Sequence, residues 1–244
     1  MKLLLTSAGI KNASIYDALV ELLGKPIAES SALCIPTGMY PFRGGGMGAY
    51  RFITGTAQSP LCELGWKSLG VLELTALPSV ERESWVPVVE EIDALLVWGG
   101  DVLYLRRWMR ESGLADLFAS LRPEIVYVGV SAGSIVTTAQ IGETYTHKPP
   151  IGDDIQSEDV LVSAPDGEPL NVAFTTAPGL GLVDFALLPH VGHEQFPENS
   201  MANCEIWASK LSVPFYALDD QSAIKVVAGN VEVVSEGNWK LFGG

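Results

Sequence analysis

The 244-residue sequence predicts an α/β fold, a mostly parallel doubly wound sheet with antiparallel strands at its C-terminal edge. Three observations predict it. Short, nearly continuous apolar runs at 3–6, 32–36, 94–98, 125–130 and 185–188 read as strands buried on both faces, as parallel strands are. Stretches with helical spacing of apolar residues separate most of these runs, which implies right-handed crossovers. The tail from 216 to 242 alternates apolar with polar residues instead, the pattern of an antiparallel edge. Neither a repeat nor a low-complexity linker interrupts the chain, so one domain spanning residues 1–244 is expected.

The first strand, 3–6, runs into the turn Ser7-Ala8-Gly9, and a helix over 14–23 stops at Gly24. The second strand, 32–36, leads into a glycine-rich loop, Arg43-Gly44-Gly45-Gly46-Met47-Gly48. Residues 70–74 read as a weaker third strand and 85–92 as a helix. The strand at 94–98 ends in Gly99-Gly100, followed by a helix over 103–112 that Gly113 stops and another over 114–121. The central strand, 125–130, ends at Ser131-Ala132-Gly133, and 134–139 reads as a helical stretch. Turn residues and short alternating runs from 152 to 176 read as a long loop or a hairpin. The strand at 185–188 delivers Pro189-His190, and the tail supplies strands at 216–218, 222–227, 231–234 and 239–242.

Composition narrows the function. Fifteen Lys and Arg against 29 Asp and Glu give a formal net charge of -14. Such a surface repels phosphate backbones and anionic headgroups, which excludes nucleic acid and membrane as partners. No apolar run reaches the roughly 18 residues that span a bilayer, and the opening Met1-Lys2-Leu3-Leu4-Leu5 reads as a strand rather than a signal peptide. Cys34, Cys62 and Cys204 are odd in number and lack metal-type spacing, which fits a reducing interior. A soluble cytoplasmic protein, monomer or homodimer, without metal or cofactor, is expected. His190, His193 and Glu194 form H-x-x-H-E, not the zinc-binding H-E-x-x-H.

Ligands of open parallel sheets bind outside the carboxyl ends of the strands, where three clusters fall. Gly129-Val130-Ser131-Ala132-Gly133 is a G-x-S-x-G between a strand and a helix, the setting in which a serine sits on a sharp, strained turn as a nucleophile. An ordinary capping serine is the competing reading. A serine nucleophile needs a base, and the chain has three histidines. His190 follows a strand and is expected on the same edge as Ser131; His193 lies three residues on; His147 sits in a polar loop. The third member, which holds the imidazole tautomer, is sought between Ser131 and His190, where Glu143, Asp153, Asp154, Glu158, Asp159, Asp166, Glu168 and Asp184 qualify by type. In the second cluster, Trp98-Gly99-Gly100-Asp101, two glycines bring backbone N–H groups within reach of a substrate oxygen, or else Asp101 merely caps a helix. The third, Arg43 with Gly44 to Gly48, lacks the G-K-[ST] of a phosphate loop and reads as a lid beside the site.

Ile35-Pro36, Trp98-Gly99-Gly100-Asp101, Gly129-Val130-Ser131-Ala132-Gly133, Leu188-Pro189-His190 and the closing Gly237-Asn238-Trp239 occur in the order seen in the peptidase E (alpha-aspartyl dipeptidase) family. Cyanophycinase is a relative of that family, whose flavodoxin-like fold is similar to class I glutamine amidotransferases. The resemblance covers nearly the whole chain. It implies a serine peptidase that cuts a small peptide after a free N-terminal residue. Ser131 would be nucleophile, His190 base, and Gly99, Gly100 and the Ala132 backbone the oxyanion hole. Three departures stand out. Asp101 takes the place of a usual Asn. The acid nearest the family's usual Asp is Glu143, with Asp153 and Asp154 behind it. No Lys or Arg occurs between 191 and 209 to pair with a substrate carboxylate, so Arg43, Arg51 or Lys148 would have to reach in.

Overall fold

The computed structural model describes residues 1–146 and 154–243. Seven strands form its central sheet: β1 (Lys2–Thr6), β2 (Ser31–Ile35), β3 (Ser68–Val71), β4 (Ala94–Val97), β5 (Val126–Val130), β11 (Ser222–Val227) and β12 (Asn230–Ser235), ordered β12-β11-β1-β5-β4-β2-β3. The five from β1 to β3 in that order run parallel. β11 and β12 add an antiparallel edge. This is the predicted fold class.

Side-chain alternation along the strands feeds two cores. Leu3, Leu5, Leu33, Ile35, Leu95 and Val97 face one side, with residues of α3 (Arg82–Glu91), α4 (Val102–Glu111) and α5 (Leu114–Leu117) upon them. Leu4, Cys34, Leu96, Val126 and Val128 face the other, under α1 (Ala13–Leu23) and Phe52 of α2 (Gly45–Ile53). Helix α1 buries Ile15, Ala18, Leu19 and Leu22, one stripe at helical spacing. Asn12 caps its start by accepting the Ile15 N–H at 2.9 Å, and Gly24 ends it in the left-handed region.

The second half differs more from expectation. Two further sheets stand apart from the central one. β6 (Gln140–Tyr145), β7 (Gln156–Ser163) and β8 (Pro169–Pro178) form an antiparallel sheet in the order β6-β8-β7. The expected hairpin is therefore β7–β8, and β6, which was not expected, follows directly on the helical stretch expected over 134–139. That helix is only α6 (Ala132–Ile135). β9 (Ala186–Leu188) pairs in parallel with β10 (Phe215–Leu218), which pairs with β13 (Trp239–Phe242). A third core lies between these small sheets and α7 (Cys204–Ser209), with Trp207 stacked on Phe174 at 4.9 Å. The third strand of the central sheet lies at Ser68–Val71, earlier than the expected 70–74.

The glycine-rich segment is not a loop. Gly44, at φ 79, caps α2, whose first turn is Gly45 to Gly48. A Cβ on Gly45 would lie 1.9 Å from the Met39 carbonyl oxygen, so glycine is there for close packing. No helix among the described residues is long and apolar enough to cross a membrane.

Candidate active site

Strand β5 ends at Ser131, whose backbone at φ 51 and ψ -117 is sparsely allowed for an L-residue. The strain is held by the neighbouring end of β1. The Ser131 N–H donates to the carbonyls of Thr6 and Ser7, each at 3.1 Å. Thr6 Oγ1 donates to the Gly129 carbonyl at 2.7 Å, and Ser134 Oγ to the Thr6 carbonyl at 2.8 Å. The two glycines of G-x-S-x-G are needed for space. A Cβ on Gly133 would meet the Val97 carbonyl oxygen at 2.2 Å, and one on Gly129 the Gly133 carbonyl oxygen at 2.6 Å. The elbow is thus wedged between β1 and β4.

The end of β4 borders the serine. A Cβ on Gly99 would lie 3.1 Å from Ser131 Cβ and 3.6 Å from its Oγ, so this turn runs directly beside the serine and a side chain there would crowd it. Gly100 sits at φ 126, with the Gly38 carbonyl 2.1 Å from where a Cβ would be. The flanking N–H groups are engaged, that of Trp98 by the Ile35 carbonyl and that of Asp101 by the Gly38 carbonyl. Asp101 caps α4, accepting the Tyr104 N–H at 2.7 Å. The helix-cap reading of Asp101 holds.

His190 follows β9 with φ 60. Among the described residues only Ser131, His190 and Ala228 combine a side chain with positive φ, so strain gathers at two candidate residues. Ser7 connects them. Its carbonyl accepts the Ser131 N–H, and its hydroxyl accepts the His190 N–H at 2.8 Å. The same hydroxyl donates to Asp220 Oδ1 at 3.0 Å, and that oxygen lies 2.7 Å from His190 Nδ1. Phe196 stacks on the imidazole, centroids 4.8 Å apart and planes 13° apart. Burial raises the Asp220 carboxyl, but the hydrogen bond and charge of His190, the Ser7 hydroxyl and the charge of His193 outweigh it and hold it below the usual range. Asp220 is therefore ionised at neutral pH and can only accept, which places the proton of a neutral His190 on Nδ1 and leaves Nε2 as a base.

The acids expected from chain order lie elsewhere. Glu143, in β6, binds the Thr144 N–H at 2.9 Å and has Asp101 and Glu198 as charged neighbours. Burial first, then those two charges, push its carboxyl up to about 7 despite the Thr144 N–H. Asp154 pairs with Arg106 and Arg110 of α4. Asp153, His147 and Lys148 lie outside the described residues. Arg43 is exposed just before α2.

Sequence reasoning missed Asp220 and Ser7. It sought the acid before the histidine, whereas Asp220 comes after it, beyond the end of β10. Both missed residues carry the strand-end signal that singled out Ser131. Among the described residues no group of three or more His, Cys, Asp or Glu is placed to hold a metal ion.

The model of peptidase family S51 matches residues 3–234. The structure is similar to a candidate peptidase E protein from Listeria monocytogenes EGD-e, with TM-score 0.58, 19% identity, and 97% of this chain and 98% of that one covered. It is also similar to a peptidase from an acI-B1 Actinobacterium, with TM-score 0.61, 15% identity, and 98% and 88% covered. At these identities the two structures speak for the fold. No curated protein matches the sequence significantly.

Proposed function

The chain belongs to peptidase family S51 and is a serine hydrolase, and from that premise we propose that it cleaves dipeptides or short peptides after a free N-terminal residue, through an acyl-enzyme on Ser131. The observation that carries the reading is the single residue Ser7, which ties the strained serine, the imidazole and the carboxylate together. Ser131 Oγ attacks the scissile carbonyl while His190 Nε2 takes its proton. Asp220 keeps Nδ1–H in place and stabilises the imidazolium that forms. The oxyanion meets the N–H groups of Gly99 or Gly100 and of Ala132, the last at the start of α6 where no upstream carbonyl of the helix engages it. His190 then protonates the leaving amine, and water, activated by the same base, releases the acyl group and restores the serine.

The side chain of the N-terminal residue is neutral or cationic in this reading. Asp101, Glu143 and Glu198 are electrostatic neighbours beside the glycine turn, and Arg43 is exposed. A substrate aspartate would meet repulsion there rather than the bidentate arginine that suits it. Three buried free cysteines suit a reducing cytoplasm. The test is a panel of unblocked peptides with Asp, Glu, Ala, Leu, Lys or Arg first, plus beta-aspartyl-arginine, with Ser131→Ala as control. Serine-dependent cleavage of neutral or basic members ahead of Asp is expected. Cleavage confined to Asp peptides would overturn the specificity, and cleavage that survives Ser131→Ala would overturn the mechanism.

A further inference from the structure

Asp220 has two carboxylate oxygens, and the mechanism uses one. Oδ1 carries His190 Nδ1 at 2.7 Å and the Ser7 hydroxyl at 3.0 Å. Oδ2 faces a second imidazole: His193 Nε2 stands 3.9 Å away, in ion-pair range though beyond a direct hydrogen bond. The tautomer of that ring follows from its other nitrogen. His193 Nδ1 accepts the Gln195 N–H at 3.1 Å, so a neutral His193 carries its proton on Nε2, the atom turned toward Asp220.

The ring is held in place. Its centroid lies 6.1 Å from that of His190, edge-on at 67°, and 5.8 Å from Phe196, the residue that stacks on His190. The His193 N–H donates to the His190 carbonyl, closing the turn between the two histidines. Beside them a cleft of about 440 Å³, lined by His193, Met201, Asp220 and Asn238 among others, opens to solvent. On that side the carboxylate oxygen faces His193 Nε2 in ion-pair range.

We propose that His193 is a positioning residue for the reaction, its Nε2–H attracting Oδ2 of Asp220 across 3.9 Å so that Oδ1 stays on His190 Nδ1. This rests on the reading of Ser131, His190 and Asp220 as the triad. A carboxylate restrained at one oxygen rotates about its Cβ–Cγ bond; restrained at both, it presents a fixed acceptor to the base. His193 touches neither substrate nor reacting atoms in this scheme.

The experiment compares His193→Ala, His193→Gln and Asp220→Asn with wild type. It measures kcat and KM on the best peptide of the panel, the rate of Ser131 sulfonylation by phenylmethanesulfonyl fluoride, and the downfield proton resonance of His190 Nδ1–H. His193 is partly exposed, so both variants at this position are expected to fold. For His193→Ala, kcat and sulfonylation fall together by about threefold to tenfold, with KM within about twofold, and the resonance broadens. In His193→Gln the side-chain amide supplies an N–H, and both rates recover to within about twofold of wild type. Unchanged rates in His193→Ala, or an equal fall in His193→Gln, overturn the inference. If Asp220→Asn sulfonylates as fast as wild type, the triad itself is wrong. If Asp220→Asn is inert while His193→Ala is unaffected, only the role of His193 fails.

Discussion

Asp220→Asn separates the acid found at the imidazole from those that chain order suggests. The replacement keeps the shape and removes the charge. If the amide oxygen stays on His190 Nδ1, the amide NH2 takes the place of Oδ2 and faces the Nε2–H of His193, donor against donor. If the amide flips, its NH2 faces His190 Nδ1 and the Ser7 hydroxyl, and the imidazole must carry its proton on Nε2, where it cannot accept one from Ser131. The flipped orientation disables the base; the unflipped one keeps the tautomer but loses the carboxylate charge that stabilises the imidazolium. In serine protease triads that tautomer trap costs about 10⁴ in kcat, or roughly 5.5 kcal/mol at 1.36 per decade. Allowing for partial retention of the favourable orientation, a drop of about 10³–10⁴ with little change in KM is expected. Steady-state hydrolysis together with the sulfonylation rate measures it. Stability moves as well. Because the native carboxyl is held below the usual range, its contribution is present at neutral pH and is lost as pH falls through its folded value. Wild type and variant therefore converge in melting temperature toward acid. A kcat within about tenfold of wild type would refute the assignment, all the more if Glu143→Gln proved the damaging change.

Three further outcomes follow from the same geometry. Ser7→Ala leaves the part-buried His190 N–H without its acceptor and removes one of the two groups on Asp220 Oδ1, so kcat falls by about tenfold, from about 1–3 kcal/mol lost at an unsatisfied group, while urea denaturation shows a stability loss of the same size. Glu143→Gln relieves a carboxyl raised from 4.5 to about 7; its ionisation burdens the fold increasingly as pH rises through that window, so the variant gains up to about 3 kcal/mol on wild type at pH 8 and nothing at pH 4.5, read from melting curves against pH. Gly133→Ala forces a Cβ against the Val97 carbonyl, and a loss of about 3 kcal/mol or more, or failure to accumulate folded protein, is expected by thermal melting.

The parallel strands were legible because burial on both faces leaves nearly unbroken apolar runs, as in Leu3 to Leu5 and Ala94 to Val97. α2 was hidden because its first turn holds Gly45, Gly46 and Gly48, residues that normally break helices; here Gly45 and Gly48 admit Met39. β6, Gln-Ile-Gly-Glu-Thr-Tyr, has neither a clean alternation nor an apolar run; its partner β8 defines it, and pairing at that separation leaves no local mark. At the site, Ser131 and His190 stood out because each follows a strand, and the glycines around Ser131 carry a steric reason visible in the pattern. Asp220 escaped because an acidic chain offers many carboxylates and the assumed order placed the acid before the histidine. Only the pairing of β9 with β10 brings Asp220 to the same corner as His190. Ser7 escaped because a serine in a Ser-Ala-Gly turn has no distinguishing neighbours in sequence; its value lies in three contacts far along the chain.

The central claim is that Ser131 is a nucleophile made reactive by His190 and Asp220. Labelling intact protein with a fluorophosphonate and locating the adduct by peptide mass mapping tests it most directly. One phosphonyl group on Ser131, absent in Ser131→Ala and strongly slowed in His190→Ala and Asp220→Asn, is the predicted result. An adduct on another serine, or labelling of Ser131 at the same rate in all three proteins that retain it, would contradict the account.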